Sequence, residues 1–373
     1  MAMPCPKKAF CTLYRQTVKG LSLTRQKGWS QAELLEFFPR EQSRWQAFLL
    51  THEETSPPTE EGRWENWEQL GQALSVWEDP REHALLRLRW ERLADYLEET
   101  ARPHADHHTL RFYLGNISEL TPLELPAGQA PRPGAPLSAR AAGELLQARA
   151  AALFPDHETH VRMDAHSLAR ASTGSNYLRL RDGTDYSPGE VDNLTAHELW
   201  VHLGSNLQGT LQTTHPWLAL WAPDVTPLQE GLALIAEMVG GNWTEERRRE
   251  VQLRHEAALA ALAGDDAARV RERLRDGGLG EEASLRMVLR VFRGCSLRGG
   301  MAFGKELLYG LGYACWAQLA SSVSAHDMRL ALSGKMSFPE WQALRSGSWD
   351  IKLASPPQAL LEWTANPHWK KTG

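Results

Sequence analysis

The chain has 373 residues, 42% of them hydrophobic and 23% charged, with 41 basic against 46 acidic side chains and a formal net charge of −5. This is globular composition, which excludes a disordered or collagen-like chain and supplies no cationic footprint for nucleic acid. No apolar run reaches the ~18–20 residues that span a bilayer, the N-terminal segment has no apolar stretch of signal-peptide type, and four cysteines suit reduced thiols. A cytoplasmic protein without nucleic-acid or membrane partners is expected.

The first third reads as helices. Ser30-Gln31-Ala32-Glu33 is a capping box ahead of Leu34, Leu35 and Phe37, and Pro39 ends that helix or starts the next. Asp79-Pro80-Arg81-Glu82 is a start signal, after which Leu86, Trp90, Leu93 and Leu97 share one helical face over 83–99, closed by Pro103. Residues 121–138 hold prolines 122, 126, 131, 133 and 136, the composition of a linker. The expected division is therefore 1–120, an N-terminal helical region, 121–138, a Pro/Gly-rich linker, and 139–373, a catalytic domain. Tryptophan is over-represented, with 15 residues, which suits core or cleft walls.

Helical pattern resumes at Ala139–Leu153. Two strand-like segments follow, His160–Asp164 and Asn176–Arg181, the latter ending in an Asp182-Gly183 turn; its alternation suits addition of an extended peptide. From Ser187 onward the expected helices are 188–203, 227–240, 245–262, 266–275, 282–292, 304–320 and 358–365. The fold expected is mainly α with a small β element.

Ser187-Pro188-Gly189-Glu190 is a second capping box and opens a helix containing His197-Glu198-Leu199-Trp200-Val201-His202. Two imidazoles that bind Zn²⁺ and a glutamate that takes the proton of an activated water form the core of a zinc-hydrolase site. Histidines four apart differ by ~40° around a helix, but these are five apart, or ~140°. A π-type turn, with i→i+5 hydrogen bonds, returns the second ring to the face of the first. A π-bulge or distorted turn is therefore expected across Leu199–Val201, with Gly204 as the helix end.

The third ligand is sought downstream. Thr226-Pro227 caps an otherwise apolar helix carrying Glu230, and a buried carboxylate is costly unless paired or metal-bound. Glu237, seven residues on, lies on the same face and suits a bond to the free N–H of a ligand histidine. Two satisfied helix histidines are the plain alternative for the His197–His202 pair, and a surface salt bridge for Glu237. His104, His107, His108, His157 and His160 read as polar-surface residues; Cys5, Cys11, Cys295 and Cys315 lack metal-site spacing and read as structural thiols.

The string Gln229-Glu230-Gly231-Leu232-Ala233, after an HExxxH motif, resembles the flavohemoglobin expression-modulating QEGLA motif proteins and their eukaryotic relatives, the microtubule-associated tyrosine carboxypeptidases. A third block agrees: Arg290-Val291-Phe292-Arg293-Gly294, then Phe303-Gly304-Lys305-Glu306-Leu307-Leu308-Tyr309 and Gly312. The resemblance covers about 187–240 and 286–312. It implies a zincin-like metallopeptidase that holds one catalytic Zn²⁺ through His197, His202 and Glu230, with Glu198 as general base. Trp200-Val201 stand where the family has small residues, Gly304 for threonine, Glu306 for aspartate and Cys295 for glycine.

For such a mechanism Tyr309 is the first candidate to stabilise the oxyanion, and His215 the second. Arg293, then Lys305, are candidates for the substrate's terminal carboxylate; solvated helix-surface cations are their plain alternative. The substrate expected is a peptide or protein C-terminus, releasing an aromatic residue such as tyrosine. A zinc endopeptidase and a non-catalytic helical module that binds a partner through its Trp-rich N-terminal third are the rival readings. The sequence sets no oligomeric state.

Overall fold

A computed structural model describes residues 6–18, 31–42, 69–70, 72, 74, 79–101, 123–165, 167–240, 242–293 and 295–363. Ser30, Pro103, His104, His107, His108, Cys5, Gly294 and most of the N-terminal tryptophans lie outside them. The helices are α1 Pro6–Val18, α2 Gln31–Phe37, α3 Pro80–Ala101, α4 Ala139–Leu153, α5 Pro188–Leu194, α6 Gly204–Thr210, α7 Thr226–Val239, α8 Glu245–Leu262, α9 Ala267–Asp276, α10 Glu281–Val291, α11 Lys305–Leu319, α12 Ala325–Ala331, α13 Phe338–Ser346 and α14 Gln358–Glu362. A π-helix, Thr195–Leu203, joins α5 to α6. The chain is mainly helical, as expected, and no helix among the described residues is long and apolar enough to cross a membrane.

Local signals explain most boundaries. Ser187, Thr244 and Asp266 each accept the amide of the residue three positions on, satisfying a donor the helix itself leaves open. Only half of the capping box at Ser187 forms, because the Glu190 carboxylate is taken by Arg170, at 2.5 and 2.6 Å. Thr226 lies inside α7, with Val225 as the cap. Gly204 does not end its helix: the π-helix passes directly into α6, so the expected stop is a change of helix type instead. Ser324 and Ser337 form complete capping boxes with Asp327 and Glu340, starting two helices that hydrophobic spacing alone does not reveal.

The β element is small. A three-stranded sheet has the order β2–β4–β3, from His160–Asp164, Tyr177–Arg181 and Ala171–Thr173. β2 runs parallel to β4 and β3 antiparallel to it. β1 Leu137–Ser138 pairs with β5 Asp185–Tyr186. The expected strand at 176–181 is thus the middle strand; both of its edges are taken, so it cannot receive an added peptide. The edges belong to β2 and β3, and β3 lies against the π-helix.

Three clusters of buried side chains form the core. The largest surrounds α7 and includes Trp217, Trp316 and Trp341 with Leu86 and Leu93 of α3. A second lies among α8, α9 and α10. The third packs α4 and the sheet against the π-helix through Leu146, Leu178, Leu180, Leu199 and Leu203. α3 contributes a buried ion as well. Arg89 of α3 pairs with Glu340 at 2.7 and 2.8 Å, and its remaining N–H groups donate to the carbonyls of Trp217, Leu220 and Lys335. A buried pair of this kind is tolerated when hydrogen bonds satisfy the guanidinium's donors.

Candidate metal centre

The π-helix resolves the spacing problem posed by His197 and His202. The Gly204 amide reaches back five residues to the Leu199 carbonyl, the wider hydrogen-bonded loop that a π-helix requires. With that extra residue in the turn the two rings come together, centroids 4.9 Å apart. Glu230 arrives from α7. Its Oε2 lies 3.4 Å from His197 Nε2 and 3.6 Å from His202 Nε2.

What places α7 there is a glycine contact. A Cβ on Gly231 would lie 2.1 Å from the Gly312 carbonyl carbon, and one on Gly312 would lie 1.9 Å from the Pro227 carbonyl oxygen. α7 and α11 therefore cross in backbone contact. On α11, Lys305 and Tyr309 precede Gly312 by seven and three residues, so all three share a face. The close crossing brings Lys305 Nζ to 3.0 Å from Glu230 Oε1.

Each candidate ligand has one further side-chain partner. His197 donates from Nδ1 to Glu237 Oε1 at 2.7 Å, the bond expected from the sequence. His202 Nδ1 faces Gln229 Oε1 at 3.3 Å, and Gln229 donates to the Gly334 carbonyl at 3.5 Å. Both rings are thus held by Nδ1 with Nε2 turned inward. Glu230 Oε2 is buried and has no hydrogen-bond donor among the described residues. The ligand atoms of His197, His202 and Glu230 all lie within 4.8 Å of one another. Two imidazole nitrogens and an orphaned carboxylate oxygen, converging where burial without a partner is costly, fit a divalent metal ion with N/O preference.

A family model described as microtubule-associated tyrosine carboxypeptidase matches residues 99–371. The chain belongs to that family. The match spans all three candidate ligands, whereas α1, α2 and nearly all of α3 precede it. No curated protein matches the chain. Membership of a carboxypeptidase family makes peptide-bond hydrolysis at a C-terminus the activity against which the remaining residues of the site are read.

Glu198 is buried beside the rings, and Thr173 Oγ1 of β3 donates to its Oε2 at 2.5 Å. The loop after Thr173 is tied down by Asn206, whose Nδ2 donates to the Gly174 carbonyl at 2.5 Å. Tyr309 stacks on His197 with centroids 6.0 Å apart. Burial, reinforced by the Glu230 charge, pushes its hydroxyl up to about 12, so it stays protonated and able to donate. Burial would pull the Lys305 ammonium down, but the Glu230 carboxylate outweighs it and holds the ammonium above its usual range.

Arg293 sits 5.8 Å over the Phe303 ring and forms no ion pair among the described residues. Burial and the neighbouring Arg290 charge lower it to about 10. His215 is placed elsewhere. It bonds Glu82 of α3 at 2.7 Å and packs edge-on against Trp349, so its ring is committed to the contact with α3 rather than to an oxyanion. Cys11 and Cys295 are buried, and burial lifts their thiols to about 11 and about 12, as suits unreactive structural residues.

Behind the site runs a chain of buried charges that the sequence reading did not assign. Arg247 grips Glu237 through Nε at 2.7 Å and Nη2 at 2.8 Å. Burial would raise the Glu237 carboxyl, but the Arg247 charge takes it down to about 2, which keeps it an acceptor for His197. Arg290 pairs with Glu306 at 2.7 and 2.9 Å, which explains the basic and acidic positions of the third sequence block. Gln229 was legible as the neighbour of Glu230. Arg247 hides in a Glu/Arg-rich run that reads as a solvated face, and Thr173 has no local signal at all.

Proposed function

We propose that this chain is a zinc-dependent, zincin-like carboxypeptidase that removes the last residue of a peptide or protein, with a C-terminal tyrosine as the first substrate to try. The convergence of His197 Nε2, His202 Nε2 and Glu230 Oε2 beside Glu198 carries this reading. Zinc bound there supplies a Lewis acid that polarises the scissile carbonyl and makes water a nucleophile near neutral pH.

The chain's own residues do the rest. Glu198 Oε1 takes the proton of the attacking water and passes it to the leaving amine, while the Thr173 hydroxyl holds Oε2 and fixes the carboxylate's direction. Tyr309 donates its hydroxyl to the oxygen on which negative charge develops. Arg293, which forms no ion pair among the described residues, receives the substrate's terminal carboxylate in bidentate fashion. The peptide approaches along the edge strand β3, next to Thr173, with its backbone extended.

The test is a pair of peptides ending in tyrosine, one with a free C-terminus and one amidated, incubated with zinc-loaded protein. Release of free tyrosine from the first alone supports the proposal. Cleavage of the amidated peptide moves the assignment to an endopeptidase. No cleavage of any peptide in a set varying the last residue, by protein that binds no zinc, favours the non-catalytic helical module.

A further inference from the structure

The Glu230 carboxylate has two oxygens in two different situations. Oε2 faces both histidine Nε2 atoms and accepts no hydrogen bond, whereas Oε1 is held by Lys305 Nζ at 3.0 Å. An ammonium–carboxylate hydrogen bond is among the stronger polar contacts in a protein. Here the carboxylate is almost wholly buried, 3% exposed, so solvent does little to screen it.

We propose that Lys305 is a positioning residue that restricts Glu230 to a single metal-binding oxygen. This inference rests on the zinc-hydrolase reading above. A carboxylate free at both oxygens can close onto a metal as a two-atom ligand, filling the position a catalytic site must keep for water and substrate. With Oε1 fixed by Lys305, the protein contributes three ligand atoms and the fourth position stays open. The ammonium also balances the carboxylate's charge, so the ligand set leaves the cation's own charge undiminished.

Two features make the restraint firm. Lys305 is the first residue of α11, and the Gly231–Gly312 crossing fixes that helix against α7, which carries Glu230. Glu306, the next residue, is anchored to Arg290, so the start of α11 cannot shift without breaking a buried pair. This role also separates Lys305 from Arg293. The first is committed to a ligand, and the second is left for the substrate.

The experiment compares zinc-loaded wild type, Lys305→Met and Lys305→Arg by zinc-edge X-ray absorption, after metal analysis and a thermal melt of each. The wild type is expected to show a four-atom first shell. Lys305→Met is expected to keep zinc and gain one oxygen in that shell, with a matching fall in the visible absorption of the cobalt(II)-substituted protein. Lys305→Arg is expected to restore the wild-type shell and spectrum. A wild-type shell that already contains a two-oxygen carboxylate overturns the inference without any variant. An unchanged shell in Lys305→Met with only a raised KM overturns it too, and returns Lys305 to substrate binding. So does loss of zinc from folded Lys305→Met, which would make the ammonium a condition of binding. A wild type that binds no zinc fails at the hydrolase reading instead, and takes the inference with it.

Discussion

Gly231 and Gly312 meet backbone to backbone, with no room for a Cβ on either. That single contact brings the helix carrying Glu230 against the helix carrying Lys305 and Tyr309, so it governs the site although neither glycine has chemistry of its own. Gly312→Ala forces a methyl to within 1.9 Å of a main-chain oxygen, which side-chain rotation cannot relieve. Overpacking of this kind costs about 1–3 kcal/mol or more. A lower melting temperature together with weaker zinc retention is expected, and a variant with both unchanged would show that the helices do not depend on this crossing.

Thr173 and Glu198 make a second, finer test. Thr173→Val keeps the shape of the side chain and removes the donor at 2.5 Å. A hydrogen bond to a charged group contributes about 1.5–3 kcal/mol, so kcat should fall roughly 10- to 100-fold while zinc content stays at the wild-type level. Glu198→Gln should likewise keep zinc and lose nearly all turnover. Steady-state kinetics with metal analysis on the same samples checks both, and full activity in Glu198→Gln removes it as the base.

The Arg247–Glu237–His197 chain should show itself in metal affinity. Partners that orient a ligand histidine typically account for 10- to 100-fold in binding. Glu237→Gln removes the negative charge behind His197 Nδ1 and puts an amide donor against the Arg247 guanidinium, and Arg247→Met leaves Glu237 without that guanidinium. Competition with a chelator should show weaker zinc binding for both, with the larger loss for Glu237→Gln. Wild-type affinity in both variants would reduce this chain to a structural role.

Glu306 sets an acid dependence of stability. Burial alone would raise its carboxyl, but Arg290 and Arg254 outweigh burial and hold it below the ordinary 4.5. A carboxylate with a lowered folded-state value stabilises the fold above the unfolded value and loses that contribution as pH falls. Glu306→Gln should therefore cost up to about 3–5 kcal/mol at neutral pH, since it leaves the partly buried Arg290 without its carboxylate. The gap from wild type should narrow as pH drops below 4.5. Denaturant melts across that range give the answer, and a gap that widens in acid would contradict the assignment.

The backbone geometry at His197 and His202 is legible in the sequence. The five-residue spacing of His197 and His202 demanded a wider turn, and the structure supplies a π-helix over Thr195–Leu203. The reading confined the distortion to three residues and stopped the helix at Gly204, because a single bulge is the smallest remedy that spacing requires. Glu230 stood out as a charge in an apolar helix, and Glu237 as its neighbour seven residues on. What could not be read depends on contacts distant in sequence. β3 has three residues, too short for an alternation pattern, yet it carries Thr173 and makes β4 a central strand. Nothing in the chain around His215 foretells Glu82, which is 133 positions away. The capping boxes at Ser324 and Ser337 were legible in type, but short helices without a long apolar period are easily passed over.

The central claim is that His197, His202 and Glu230 hold one metal ion. Its most direct test is the zinc content of purified wild-type protein and of Glu230→Ala, measured after equilibration with limiting zinc and removal of free metal. The account expects one zinc per chain in the wild type and loss of that zinc in Glu230→Ala with the fold retained. Zinc bound equally well by both proteins, or by neither, would contradict it.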